Sequence, residues 1–94
     1  MSNLMVSIIC TSYNYAEFIE RAIDSFLAQE VDFPYEIILV DDCSTDNTDE
    51  VVSFYKDQRI KYLKNEKNSG AAITRNKALR EAQGEWIAFL DAFL

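Results

Sequence analysis

The 94-residue chain contains no histidine, one proline, two glycines and two cysteines. Without histidine the usual general base and the commonest transition-metal ligand are gone, so any acid/base or metal chemistry falls to Asp and Glu. Two cysteines, Cys10 and Cys43, are too few for a disulfide framework or a four-ligand zinc site. Each lies in or just after an apolar strand-like run, where a cysteine is read as a buried thiol. Basic residues are also scarce. Nine Lys and Arg stand against 16 Asp and Glu, a net charge of -7, which leaves no basic footprint for nucleic acid or an anionic membrane. A nucleotide diphosphate stays compatible if a divalent cation or a local arginine receives it. No apolar run is long enough to span a bilayer, and Met1-Ser2-Asn3 lacks the basic start of a secretion signal, so the default compartment is the cytoplasm.

What is present is an alternation of strand and helix signals with no linker, repeat or low-complexity tract. The hydrophobic fraction of 49% excludes disorder, and the length allows one small domain, residues 1–94. Met5 to Cys10 reads as a first strand and leads into Thr11-Ser12-Tyr13-Asn14. A helix is expected over Ala16 to Gln29, with Phe18, Ile19, Ala22, Ile23, Phe26 and Leu27 on one stripe. Glu36 to Val40 is a four-aliphatic run of the kind buried on both faces of a parallel sheet, and it ends in Asp41 and Asp42. Ser44 to Asp46 offers N-caps for a helix carrying Val51, Val52, Phe54 and Tyr55. Ile60 to Leu63 is a short strand near a sheet edge. Asn68-Ser69-Gly70 precedes a third helix through Ala82, with Gly84 as its C-terminal glycine cap. Trp86 to Leu90 is the last strand, ending at Asp91.

A βαβαβαβ order implies parallel strands joined by crossovers, so all strand exits share one edge. Ligands of open α/β sheets bind in the crevice beyond that edge. Thr11 to Asn14, Asp41, Asp42 and Asp91 should gather there beside the start of the third helix. Clustered carboxylates raise one another's pKa or recruit a cation, and a hard divalent ion holding a diphosphate suits them.

Four segments together carry a resemblance: Val6 to Asn14, Ile38 to Asp46, Asn68-Ser69-Gly70 with Arg75-Asn76, and Gly84 to Asp91. In order and spacing, over nearly the whole chain, they resemble the nucleotide-binding half of family 2 glycosyltransferases. The resemblance implies a three-layer α/β/α fold with a mostly parallel open sheet, the Rossmann-like GT-A half, and an NDP-sugar ligand, UDP-sugar favoured. It implies that Thr11 and Tyr13 contact the base and that Asp42 accepts a pyrimidine ring N–H. Arg75 would approach the base or phosphates, and Asp91 would hold the nucleotide and a Mg²⁺ or Mn²⁺ ion. Asp41 is read instead as bonding the backbone of its own turn.

The departure from the family pattern falls at the end. Phe93 stands where an Asp-x-Asp motif has its metal-binding carboxylate, and the family's acceptor half and catalytic base lie further on. The catalytic residues are therefore unknown. This stretch is expected to hold a nucleotide without completing transfer, which fits a truncated or engineered piece and a degenerate relative alike. The apolar C-terminal segment predicts a homo-oligomer. Two other readings are a non-catalytic binding or dimerisation module and a phosphoacceptor receiver-like domain. In receivers the acidic pair follows the first strand, where this chain has Thr-Ser-Tyr-Asn.

Overall fold

A computed structural model describes residues 4–93, with side chains through residue 90. Strands β1 (Val6–Tyr13), β2 (Tyr35–Asp41), β3 (Ile60–Lys64) and β4 (Trp86–Phe93) alternate with helices α1 (Ala16–Leu27), α2 (Thr48–Ser53) and α3 (Ala71–Glu81). The four strands form one sheet in the order β3-β2-β1-β4, and every pairing is parallel. This is the expected α/β architecture, with the short third strand at one edge.

The pleat divides the core in two, because successive side chains of a strand leave on opposite faces. Cys10 and Leu39 point to one face and pack with Ile19 and Ile23 of α1 and Val52 of α2. Ile9, Ile38 and Val40 point to the other and pack with Ala78 of α3. All seven residues of β2 are buried, as a central strand covered on both faces requires.

Five expectations need correction, and one is that the last strand does not stop at Leu90 but runs on to Phe93 beside the lengthened β1. The first strand does not stop at Cys10. Thr11, Ser12 and Tyr13 continue it, because β2 or β4 offers partners to each of them, Val40 and Asp91 for Thr11, Asp41 and Ala92 for Ser12, and Phe93 for Tyr13. Helix α1 ends two residues early at Leu27, with the Ala28 N–H donating to the Asp24 carbonyl. Helix α2 has only six residues, so Phe54 lies past its end and is 74% exposed. Gly84 does not cap α3: the helix closes at Ala82 in extended conformation, and Gly84 is not among the positive-φ residues. It is small for another reason. A Cβ there would lie 2.7 Å from the Ser7 amide nitrogen and 2.8 Å from the Val6 carbonyl carbon.

Ile38→Ala should lower stability by about 2–5 kcal/mol, the range for emptying a fully buried aliphatic site. Phe54→Ser should change it by less than about 0.5 kcal/mol, as an exposed position does. Urea denaturation of both variants tests the pair, and comparable losses would contradict the division of the core.

Candidate functional site

Three loops leave the carboxyl edge of the sheet, one before each helix, and polar side chains tie them together. Asn14, at φ 52, ends the β1 exit in the left-handed region that asparagine tolerates. Its N–H donates to Ser44 Oγ at 2.9 Å and its Oδ1 accepts from the Thr45 N–H at 2.7 Å. Asp46 serves two helix starts at once. Its Oδ2 accepts from the Ala16 N–H of α1 at 3.0 Å, and its Oδ1 accepts from the Thr48 N–H of α2 at 3.1 Å. Burial alone would push this carboxyl up, but the bonds from Thr48 and Ala16 outweigh it and hold it below the usual carboxylate value.

Asp41 and Asp42 are adjacent and both fully buried, yet the strand's alternation sends them to opposite faces. Asp41 accepts from Ser12 Oγ at 2.8 Å, from Ser44 Oγ at 2.5 Å and from the Ser44 N–H at 2.7 Å. It therefore bonds its own turn and β1, the structural role expected for it. Between the two turns Cys43 sits at φ 66, a left-handed position costing a non-glycine residue about 1–2 kcal/mol. The bonds that Asp41 and Asp42 make on either side hold it there.

Asp42 looks toward α3. Its Oδ1 accepts from Asn65 Nδ2 at 2.9 Å and the Ser69 N–H at 2.7 Å, and its Oδ2 from the Gly70 N–H at 2.8 Å. The carboxylate lies at the N-terminus of α3, where the helix dipole favours negative charge. Burial pushes its pKa up, and the donors from Asn65, Ser69, Gly70 and Thr74 together bring it below the ordinary value. Gly70 at φ +94 and ψ 162 occupies a conformation open essentially to glycine alone. Asn65, which the sequence reading missed, also donates to Thr74 Oγ1 and accepts from Lys77 Nζ at 3.3 Å. Its signal was faint: one asparagine just past a short edge strand.

The expected site residues converge on this α3 side of the carboxyl edge. Thr11 is buried and Tyr13 half-buried, and alternation from Ile9 places both on the face that α3 covers. Half-buried Arg75 of α3 holds its guanidinium carbon 5.8 Å from the Phe89 ring centroid. Asp91 pairs in register with Thr11, and Phe93 with Tyr13. The side chains of Asp91 and Phe93, and with them the expected metal ligand, lie outside the described residues. Among the described residues no group of three His, Cys, Asp or Glu could hold a metal ion. Asp41 and Asp42 already spend their oxygens on protein donors, so the described side chains do not form a cation cage. Clefts formed by the described residues also lie elsewhere. One of about 340 Å³ is lined by Glu20, Asn47, Glu50, Val51, Phe54 and Tyr55, and an apolar one of about 180 Å³ includes Val6, Ile8, Phe26 and Phe33.

A parallel α/β sheet with buried acidic turns at its carboxyl edge is the architecture of the GT-A class of sugar transferases. The description "Glycosyl transferase family 2" matches residues 7–92, and the chain belongs to that family. It is 48% identical over 90 residues to TuaG of Bacillus subtilis, a glycosyltransferase named for teichuronic acid biosynthesis, covering 94% of this chain and 35% of that protein. It is similar to the crystal structure of residues 1–349 of Staphylococcus aureus TarS in complex with UDP-GlcNAc, at TM-score 0.84 and 38% identity, covering 94% of this chain and 26% of that one. The mannosyltransferase PcManGT of Pyrobaculum calidifontis, solved with GDP-Man and Mn²⁺, matches at TM-score 0.82 and 31% identity, covering 97% of this chain and 28% of that one. The chain thus spans about a third or less of these relatives.

Asp42 and Asp46 both have folded pKa values below their unfolded values of about 3.9. A depressed carboxylate contributes stability that is complete above its unfolded pKa and lost as pH falls through its folded pKa. The urea midpoint should therefore be flat from neutral pH to about 5 and drop below about 4. Asp42→Asn should cost about 1.5–3 kcal/mol at pH 7 and flatten the acid limb. An unchanged acid limb in the variant would show that Asp42 does not carry it.

Proposed function

We propose that this chain, over residues 1–94, is the N-terminal nucleotide-sugar-binding portion of a glycosyltransferase that takes a UDP-sugar. The observation that carries the reading is the convergence of Thr11, Tyr13 and Asp42 on one face of the sheet edge, beside the N-terminus of α3, with Thr11 in register with Asp91. The TarS complexes with UDP and UDP-GlcNAc, at 37% and 38% identity, support uracil as the base. Tyr13 offers a ring for stacking and a hydroxyl for a hydrogen bond. The Asn65, Ser69 and Gly70 donors fix the Asp42 carboxylate at the crevice, where a pyrimidine ring N–H would share one of its oxygens with them. Arg75 brings a planar cation to an acidic chain, the group a diphosphate needs.

In the whole enzyme an acceptor hydroxyl attacks the anomeric carbon, the bond to the diphosphate breaks, and UDP departs. A divalent cation would neutralise the leaving diphosphate, with Asp91 and phosphate oxygens as its ligands; the Mn²⁺ in PcManGT supports this part. The base and the acceptor site belong to segments beyond the alignment with this chain. Cys10 and Cys43 are both thiols, the state favoured in the cytoplasm, where we place the protein.

UDP should bind more tightly than ADP or GDP, and more tightly with Mn²⁺ than without. Tyr13→Ala should weaken UDP by about tenfold or more, the loss of one base–aromatic stack. Calorimetric titration checks this, and equal weak binding of every nucleotide by the unmutated chain would remove the proposal.

A dimerising role is favoured by a separate observation. Trp86 on one face of edge strand β4 and Ile87 and Phe89 on the other are 67%, 38% and 54% exposed, and such apolar side chains beside an edge strand invite pairing with a second copy. Light scattering should show a dimer or larger species, shifted toward monomer by Trp86→Glu with Ile87→Glu. A concentration-independent monomer for the unmutated chain would rule this out.

A further inference from the structure

At the amino edge of the sheet, opposite the site, lies a second buried polar cluster. Glu36 of β2 is 9% exposed and Ser7 of β1 is fully buried. Ser7 Oγ donates to Glu36 Oε2 at 2.5 Å, and the Gln83 N–H donates to the same oxygen at 2.7 Å. The Gly84 N–H donates to Ser7 Oγ at 2.8 Å, and the Trp86 N–H to the Met5 carbonyl at 2.9 Å. The hydroxyl of Ser7 thus gives one bond and takes one, and the segment entering β4 is pinned to both β1 and β2.

Strand β4 needs such a pin. Among the described residues it pairs only with β1, and its side chains fix the register weakly: Leu90 packs against the core on the α1 face, and Phe89 lies near Arg75. Trp86 on one face and Ile87 and Phe89 on the other are all exposed, and a strand without a clear buried face is prone to slip by one residue. The amino edge supplies the missing specificity sterically. Gly84 approaches Ser7 so closely that a Cβ would meet its amide nitrogen at 2.7 Å and its hydroxyl at 2.8 Å. A slip of one residue would bring Gln83 or Glu85 to that spot, where neither side chain fits.

We propose that Glu36, Ser7 and Gly84 are positioning residues forming a register lock for β4, which delivers residue 91 to its place beside Thr11. The lock acts over roughly 16 Å, five residues of extended strand from Trp86 to Asp91. Its link to ligand binding rests on the nucleotide-binding reading above; the register itself does not.

The test uses the isotopically labelled full chain and the variants Ser7→Ala, Gly84→Ala, Glu36→Ala and Glu36→Gln. In Gly84→Ala and Glu36→Ala, amides of residues 86–93 should exchange about tenfold faster or more while those of β2 keep their protection, the mark of local rather than global opening. Cross-strand contacts between β1 and β4 should double or vanish. Glu36→Gln keeps a carbonyl acceptor for Ser7 and Gln83 and should restore the wild-type pattern. UDP affinity should fall with the register and return with Glu36→Gln. If Gly84→Ala does not fold, Ser7→Ala, which only deletes the hydroxyl, carries the same expectation. Unchanged exchange and contacts in β4, or equal loss of protection in β2 and β4, would overturn the lock. A disturbed register with unchanged UDP affinity would overturn its role in the site. If the unmutated chain binds no UDP, the nucleotide reading fails and the exchange data alone judge the lock.

Discussion

The burial of two adjacent carboxylates at the end of the central strand is the constraint on which the rest of this structure depends. Asp41 and Asp42 are both fully buried, and a carboxyl group in such a place is tolerable only when its oxygens are met by hydrogen-bond partners. The pleat makes that possible by sending them to opposite faces. Asp41 then collects the β2 exit and β1, and Asp42 collects the loop entering α3. Each carboxylate organises one layer of the domain. Had both turned to the same side, the two carboxyl groups would have competed for the donors of one face.

The loops that form the crevice are consequently held by charge and polar bonds more than by apolar packing. Asp46 spans the starts of α1 and α2, Asn14 ties the first exit to the second, and Cys43 and Gly70 accept left-handed backbone to let these bonds close. A preformed edge of this kind suits a polar, planar ligand. Most of the carboxyl groups at this edge are engaged by internal donors, while Arg75 and Lys77 stand on the adjoining helix, an arrangement compatible with the nucleotide site proposed above.

Much of the fold was legible in the chain. Apolar runs marked the four strands, the stripe of Ile19, Ala22 and Ile23 marked α1, and Asn68-Ser69-Gly70 marked the entry to α3. The misreadings share one cause, which is that pairing and packing override local pattern. Thr11 to Tyr13 look like a turn, yet two neighbouring strands extend far enough to keep them in the sheet. Phe54 looks like core, yet α2 ends before it can be turned inward. Gly84 looks like a helix cap, yet its small size answers a contact with Ser7 that lies 77 positions away.

The candidate site divides along the same line. Thr11, Tyr13, Asp42, Arg75 and Asp91 could be named because their motifs resemble those of family 2 glycosyltransferases. The convergence of Thr11, Tyr13, Asp42 and Arg75 on the α3 face, the separate duties of Asp41 and Asp42, and the parts played by Asn65, Asp46 and Glu36 could not. By itself the sequence determined the order of elements, the central strand and the kind of residue at its exit, since periodicity and charge are local properties. Only the tertiary structure decided which neighbour meets which carboxylate and where β4 stops sliding, since a hydrogen bond or a steric contact between distant segments exists only after the sheet has brought them together.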